Sequence, residues 1–151
     1  MAECQEHGDQ EVVDTATADS PELANVRDHW HWVKHGIEEI LAEQPQLTFR
    51  PEDVYHLCLK DEAYLWVAPE GFVITTTEQD EFTGHKTLLL WLAWTKERGN
   101  NCAVKYLPFF EEFARHMQFQ YIETRSPVAA LEKYFVSDGW KKDTVIYTRA
   151  L

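Results

Sequence analysis

The first part of the chain shows a helical spacing of apolar side chains. Between residues 26 and 43, apolar positions recur every three or four residues, which predicts an amphipathic helix. These positions are Trp30, Val33, Ile37, Ile40 and Leu41. The Gln44-Pro45 pair predicts the end of this helix, because the residue before a proline is biased away from helical backbone. Pro51, followed by two acidic residues, predicts the start of a second helix.

Short runs of β-branched, aromatic and aliphatic residues replace this spacing further along. They predict strands at residues 63–68, 72–77, 86–94, 119–124 and 142–148, with helices at 102–117, kinked at Pro108, and 126–134. Hairpins can join the first three strands, whereas the two later connections are crossovers that favour parallel pairing. The pattern predicts an α/β fold with a mixed, largely antiparallel central sheet, helices on both faces and a helical N-terminal lead-in.

Composition and charge exclude several classes of protein. Among 151 residues, 14 basic and 26 acidic side chains give a formal net charge of −12, so nucleic acid is not expected as a partner. No apolar run approaches the roughly 18 residues of a membrane span, and the polar N-terminus lacks the apolar centre of a secretory signal. The cysteines, Cys4, Cys58 and Cys102, are odd in number and far apart. We therefore expect a protein of a reducing cytoplasm.

Residues 1–25 differ in composition from the rest. They hold seven acidic residues, no Lys or Arg and no aromatic residue. This predicts a flexible acidic N-terminal arm, followed by a single domain at residues 26–151. The arm is either a solvated tail or a segment that binds a partner or covers a site.

Residues 91–103 are the most informative for chemistry, because a buried strand leads there into a small-residue turn and a helix. Unpaired N–H groups at a helix start can hold a phosphate, provided that small residues let it approach. The residues that suit this role are Gly99, Asn100, Asn101 and Ala103, with Arg98 as a charged partner for a diphosphate. The alternative is an ordinary strand–turn–helix joint in which an Asn caps the helix.

Two segments carry a resemblance to a known family. Residues 98–103, Arg-Gly-Asn-Asn-Cys-Ala, resemble the Arg/Gln-x-x-Gly-x-Gly/Ala phosphate loop of the GNAT superfamily of acyl-CoA-dependent N-acyltransferases. Residues 129–140 resemble the helix and turn of that family, with Gly139-Trp140 in place of Gly-Phe. Asn101 replaces the central glycine of the loop, Val128 an Asn, and Phe135 a Tyr that protonates the leaving thiolate in many members.

The resemblance implies a cosubstrate and a set of site residues. Acetyl-CoA would be the acyl donor, with its pyrophosphate on the loop. The loop residues are Arg98, Gly99, Asn100, Asn101, Cys102 and Ala103. A backbone N–H of Ala93 or Trp94 would polarise the thioester carbonyl. Tyr134 could take the place of the missing tyrosine after a shift of register.

The acceptor amine must lose a proton, and several side chains could take it. The candidates are Glu78, Asp80, Glu81, His85 and Glu123, with Tyr121 as a further polar group near the expected CoA position. Each is alternatively a solvated surface group.

Histidines and cysteines suggest further chemistry that we do not favour. His31, His35 and Glu39 share a helix face, as metal ligands do, but no second ligand group is evident and a polar helix face is the preferred interpretation. We expect no metal. Cys58 is expected in the core. Cys102, at a predicted helix start, could hold a stabilised thiolate, but no histidine is adjacent to activate it.

Three hypotheses follow. The first is a GNAT-like N-acyltransferase that acetylates an amine of a small molecule or a protein. The second is a catalytically degenerate protein of the same fold that acts through protein contacts. For it, residues 32–38 and 51–55 resemble short GNAT-like proteins of tailed phages and prophages, which implies a virion-associated or host-modifying role in a bacterial or infected cytosol. The third is an unrelated α/β domain. A homo-oligomer is compatible with each.

Overall fold

One five-stranded sheet organises the molecule in the computed structural model, which describes residues 20–97, 102–126 and 132–151. The strands are β1 Glu22–Ala24, β2 Tyr64–Ala68, β3 Gly71–Gln79, β4 Lys86–Thr95 and β5 Tyr121–Thr124. They lie in sequence order. The pairs β1–β2, β2–β3 and β3–β4 are antiparallel, and β4–β5 is parallel. This confirms the predicted mixed, largely antiparallel sheet, including the crossover that precedes β5.

The described residues form five helices beside the sheet: α1 Val26–Glu43, α2 Pro51–Leu59, α3 Cys102–Lys105, α4 Leu107–His116 and α5 Glu132–Ser137. The side chain of Asn25 caps α1 by accepting a hydrogen bond from the backbone N–H of Arg27 at 2.9 Å. At the start of α2, Asp53 accepts the backbone N–H of Arg50 at 2.8 Å, which lowers the pKa of this carboxyl group. The two helices predicted from apolar spacing and from Pro51 are thereby confirmed.

Two apolar clusters cover the two faces of the sheet. On the first face, α1 and α2 pack on the strands through Val33, Ile37 and Val54. On the second face, α3 and α4 pack on Trp66 and the neighbouring strands, with Phe110 fully buried. Helices therefore lie on both faces, as predicted. No helix in the described part of the chain is long and apolar enough to cross a membrane.

Three local predictions are wrong. Residues 22–24, which their composition places in the flexible arm, form β1 against β2, while residues 1–19 lie outside the described part. Residues 142–148, predicted as the last strand, are described and exposed, and they carry no strand pairing. The predicted helix 102–117 is divided at Tyr106, because Pro108 occupies the first turn of α4, where its missing N–H costs nothing.

Candidate functional site

Strands β4 and β5 pair over a short distance only. Their parallel register pairs Thr87 with Tyr121 and ends at Leu90 with Thr124. Strand β4 continues for five more residues, to Thr95, and no described residue of β5 pairs with this half. The side of this half that faces away from β3 is called the gap below, and the described part of β5 does not extend along it.

A β-bulge at Trp91 lies where the two strands part. On β3, the adjacent residues Ile74 and Thr75 pair with Leu92 and Leu90, so Trp91 is the extra residue of β4. A bulge bends its strand and shifts the alternation of the residues that follow. In agreement, Leu88 and Leu90 lie in the apolar cluster of the second face, whereas Leu92 lies in that of the first.

The bulge also decides which backbone groups point into the gap. Before it, the carbonyl oxygen of Leu90 faces β5 and accepts the hydroxyl of Thr124 at 3.4 Å. After it, the N–H of Lys96 donates to the carbonyl oxygen of Glu70 at 2.8 Å, so Lys96 faces β3. Because hydrogen-bonded pairs alternate along an antiparallel ladder, Trp94 also faces β3, and the N–H and C=O of Ala93 point away from it. Of the two residues implied by the resemblance, Ala93 faces the gap and Trp94 does not.

A groove of about 680 Å³ lies between the end of β4 and the end of α1. This volume is within the range of small-molecule sites. It is lined by Glu39, Ile40, Ala42 and Glu43 from α1 with the following Gln44, and by Ala93, Trp94 and Thr95 from β4 with the following Lys96. The groove and the gap therefore share Ala93.

A hydrogen-bonded cluster of His35, Glu39 and Trp94 lies beside this groove. One carboxylate oxygen of Glu39 accepts the indole N–H of Trp94 at 3.0 Å. The other lies 2.7 Å from Nε2 of His35. The sequence placed His35 and Glu39 on a polar helix face, but nothing in it links them to Trp94, which is 55 positions further along. No group of three or more metal-ligating side chains is present among the described residues.

The predicted phosphate loop is only partly described. Residues 98–101 lie outside the described part, and with them Arg98, Gly99, Asn100 and Asn101. Cys102 and Ala103 begin α3 and are buried. Burial raises the pKa of the Cys102 thiol to about 11, so the sulfur is protonated at neutral pH and is no nucleophile.

Most of the predicted bases lie near the N-terminal end of β4, far from the groove. Arg125 donates to Glu78 at 3.1 Å and is also paired with Glu123. The side chain of Asp80 accepts the backbone N–H groups of Phe82 and Thr83, which lower its pKa and give it a turn-forming role.

Neither His85 nor Glu81 lines the groove. The ring of His85 contacts Tyr121 edge-on, and Glu81 is exposed in the β3–β4 loop. At about 3.3 Å per residue, His85 is about 25 Å from Ala93 along β4. Glu123, which is opposite Leu89, is the nearest of the predicted bases to the gap. Tyr134 is in α5, but its side chain lies outside the described part.

Solved structures of acetyltransferases have the same fold. A ribosomal-protein-alanine N-acetyltransferase from Brucella melitensis biovar Abortus 2308 is 18% identical, with a TM-score of 0.58 over 87% of this chain and 99% of that one. An aminoglycoside acetyltransferase from an uncultured soil metagenomic sample, in complex with sisomicin, is 9% identical, with a TM-score of 0.61 over 87% of this chain and 95% of that one. Neither a protein-family model nor a curated protein matches the sequence.

These similarities span nearly the whole of each compared structure, at identities that speak for the fold alone. The chain therefore has the fold of the GNAT superfamily, as the resemblance at residues 98–103 and 129–140 implied.

Proposed function

We propose that this protein is a GNAT-type N-acyltransferase that uses acetyl-CoA to acetylate an amine of a small molecule or a protein. The observation that carries the proposal is the N–H of Ala93, which the bulge at Trp91 turns into the gap between β4 and β5. A backbone donor fixed in a sheet can polarise a thioester carbonyl and stabilise the negative charge that develops on its oxygen. The edge of β4 beyond Leu90 would also offer hydrogen bonds to the amide groups of the pantetheine arm.

The phosphate end of the donor is assigned by resemblance. Residues 98–101 lie between β4 and α3 in the sequence, and Cys102 and Ala103 begin α3, which is the order expected of a pyrophosphate loop in this family. The protein would act as a cytoplasmic enzyme, alone or as a homo-oligomer, without nucleic acid or membrane as partner.

Acetyl-CoA binding tests the donor site directly. Calorimetry on the intact chain should give a micromolar dissociation constant. Arg98→Glu should weaken binding by about 10-fold or more, because it replaces a charge-assisted contact by repulsion. Arg27→Glu, an equal charge change at the exposed far end of α1, is the control and should bind as the wild type does. Absence of binding by the folded protein, with or without residues 1–19, would refute the proposal.

Transfer is then measured as thiol release with a panel of amines. The panel includes spermidine, sisomicin and a peptide with an N-terminal alanine. Sisomicin is the ligand of the aminoglycoside acetyltransferase structure, and the alanine peptide follows the name of the ribosomal-protein-alanine N-acetyltransferase.

One observation favours the non-catalytic alternative. Phe135 packs against Trp140 at 5.2 Å between ring centroids, and its phenyl ring cannot protonate a thiolate. Acetyl-CoA binding without transfer to any amine would support that alternative, a virion-associated or host-modifying protein included.

A further inference from the structure

We propose that Glu39 accepts the proton of the acceptor amine and that His35 passes it on to solvent. This assignment rests on the acyltransferase function proposed above and goes beyond it, because no residue considered from the sequence as a base lies at the groove. Glu39 lines the groove together with Ala93, whose N–H faces the gap. An amine in the groove would therefore meet the carboxylate on one side and the thioester on the other.

The geometry of the cluster suits proton transfer. The indole N–H of Trp94, a residue of β4, donates a hydrogen bond to one oxygen of Glu39 at 3.0 Å. This bond positions the carboxylate relative to the gap. His35 Nε2 lies 2.7 Å from the other oxygen, within hydrogen-bond distance. The side chain of His35 is 62% exposed, which gives the ring access to bulk water. The other charged groups that line the groove are Glu43 and Lys96.

The chemistry requires such a base because alkyl amines are protonated at neutral pH, with a pKa of about 10.4. The ammonium group loses one proton to Glu39. His35, in the neutral tautomer that carries its hydrogen on Nδ1, takes this proton at Nε2 and releases the Nδ1 proton to water. The amine lone pair then forms the N–C bond, and the C–S bond breaks. The second proton of the amine goes to the leaving thiolate, so that the products are the amide, the thiol form of CoA and one proton.

A purely structural interpretation of the cluster predicts different behaviour. A surface His–Glu pair four residues apart on a helix contributes at most a few tenths of a kcal/mol to stability. Removing the charge of Glu39 would then affect all acceptors alike, through small changes in the groove. A base is needed only by acceptors that arrive protonated, and this difference can be measured.

The test compares two variants with two kinds of acceptor. Glu39→Gln keeps an oxygen for the Trp94 indole but removes the base, and Glu38→Gln changes the neighbouring exposed carboxylate on the same helix. With spermidine, sisomicin or the alanine peptide at pH 7.5, Glu39→Gln should lower kcat/KM by about 100-fold or more. Glu38→Gln should stay within about twofold, and both variants should bind acetyl-CoA as the wild type does.

Hydroxylamine, an acceptor that is unprotonated at pH 7.5, provides the decisive comparison. With it, after subtraction of the uncatalysed reaction, Glu39→Gln should keep its rate within about fivefold, because no proton has to be removed before attack. Equal losses with both kinds of acceptor, or no loss with either, would overturn the assignment while leaving the acyltransferase function intact. A wild type that binds acetyl-CoA but acetylates no amine would overturn the proposed function itself.

Discussion

At the scale of single residues, one buried hydrogen bond joins two strands inside the second apolar cluster. The indole N–H of Trp66 on β2 donates to the hydroxyl of Thr75 on β3 at 3.0 Å, and Thr75 is 1% exposed. Thr75→Val keeps the shape of the side chain but leaves the indole N–H without its partner. We expect a loss of about 1–3 kcal/mol in the free energy of unfolding, measured by urea denaturation.

Thr77→Val on the same strand is the matched control for this change. Thr77 is exposed, so its hydroxyl is hydrated by water in the folded and in the unfolded chain. Its removal should therefore change the free energy of unfolding little. A free energy of unfolding that falls equally in both variants would show that the Trp66–Thr75 bond contributes nothing.

The two described cysteines offer a test of burial through pH. Burial raises the pKa of Cys58 and of Cys102 from 9.0 to about 11. Their thiolate fraction at pH 8 is then about 100-fold lower in the folded protein, and alkylation by iodoacetamide should slow by at least that factor relative to the chain in urea. The raised pKa values stabilise the fold below pH 9, and this stabilisation is lost as the pH rises toward 11.

Site-by-site mass spectrometry measures both alkylation rates. Equal rates at Cys102 in folded and unfolded protein would mean that the sulfur is an accessible thiolate, as a helix start could in principle provide. In that case the prediction from burial is wrong.

At the scale of elements, the close approach of α1 to the sheet depends on one glycine. A Cβ on Gly36 would lie 2.5 Å from Cε2 of Phe72 and 2.7 Å from Cδ2 of Trp94, which are packed rings. Gly36→Ala gains about 1 kcal/mol of helix propensity but forces these rings apart. We expect a net loss of about 1–2 kcal/mol in the free energy of unfolding, with a change in Trp94 fluorescence.

Glu38→Ala, an exposed substitution on the same helix, controls for propensity and should leave the free energy of unfolding within about 0.5 kcal/mol. A stabilised Gly36→Ala would mean that α1 can move away from the sheet without cost. The position of Glu39 beside Trp94 would then be adjustable rather than fixed.

The elements also show where sequence patterns suffice. The helical spacing of apolar residues predicted α1, and the apolar run at residues 86–94 predicted β4. Both predictions succeed because the buried face of an element determines where its apolar residues lie. The bulge at Trp91 has no such signal, since it adds one residue to a continuous apolar run and depends on pairing with β3. Strand β1 has only three residues and could not be predicted, while residues 142–148 have strand composition but no partner strand.

At the scale of the whole molecule, the candidate site lies at the end of β4, where neighbouring residues pack into the apolar clusters on opposite faces of the sheet. Leu92 belongs to the apolar cluster under α1 and α2, and Ala93 contacts the cluster under α3 and α4. The sequence predicted Ala93 through the family resemblance, because a strand before a phosphate loop can be counted along the chain. It could not place Glu39 there, because the contact of α1 with the end of β4 is a product of tertiary packing.

The C-terminal segment is the part of the described molecule that contributes least to the core. Val145, Ile146 and Tyr147 are 54%, 76% and 90% exposed, and residues 140–151 contain no helix or strand. Trp140, by contrast, packs against Phe135 and donates its indole N–H to Glu111 on α4 at 3.1 Å. Trp140 is therefore the last residue that we expect to contribute substantially to the free energy of unfolding.

Removal of residues 142–151 should consequently leave the melting temperature within about 2 °C of the full chain, since little apolar surface is uncovered. Trp140→Ala in the full chain should lower it by about 5 °C or more, because a packed ring and a hydrogen bond are lost. Both are measured by the circular dichroism of the helices, with the concentration varied to detect association. A truncated chain that melts as low as Trp140→Ala would show that residues 142–148 do pair with a sheet edge, in the same molecule or in a second copy.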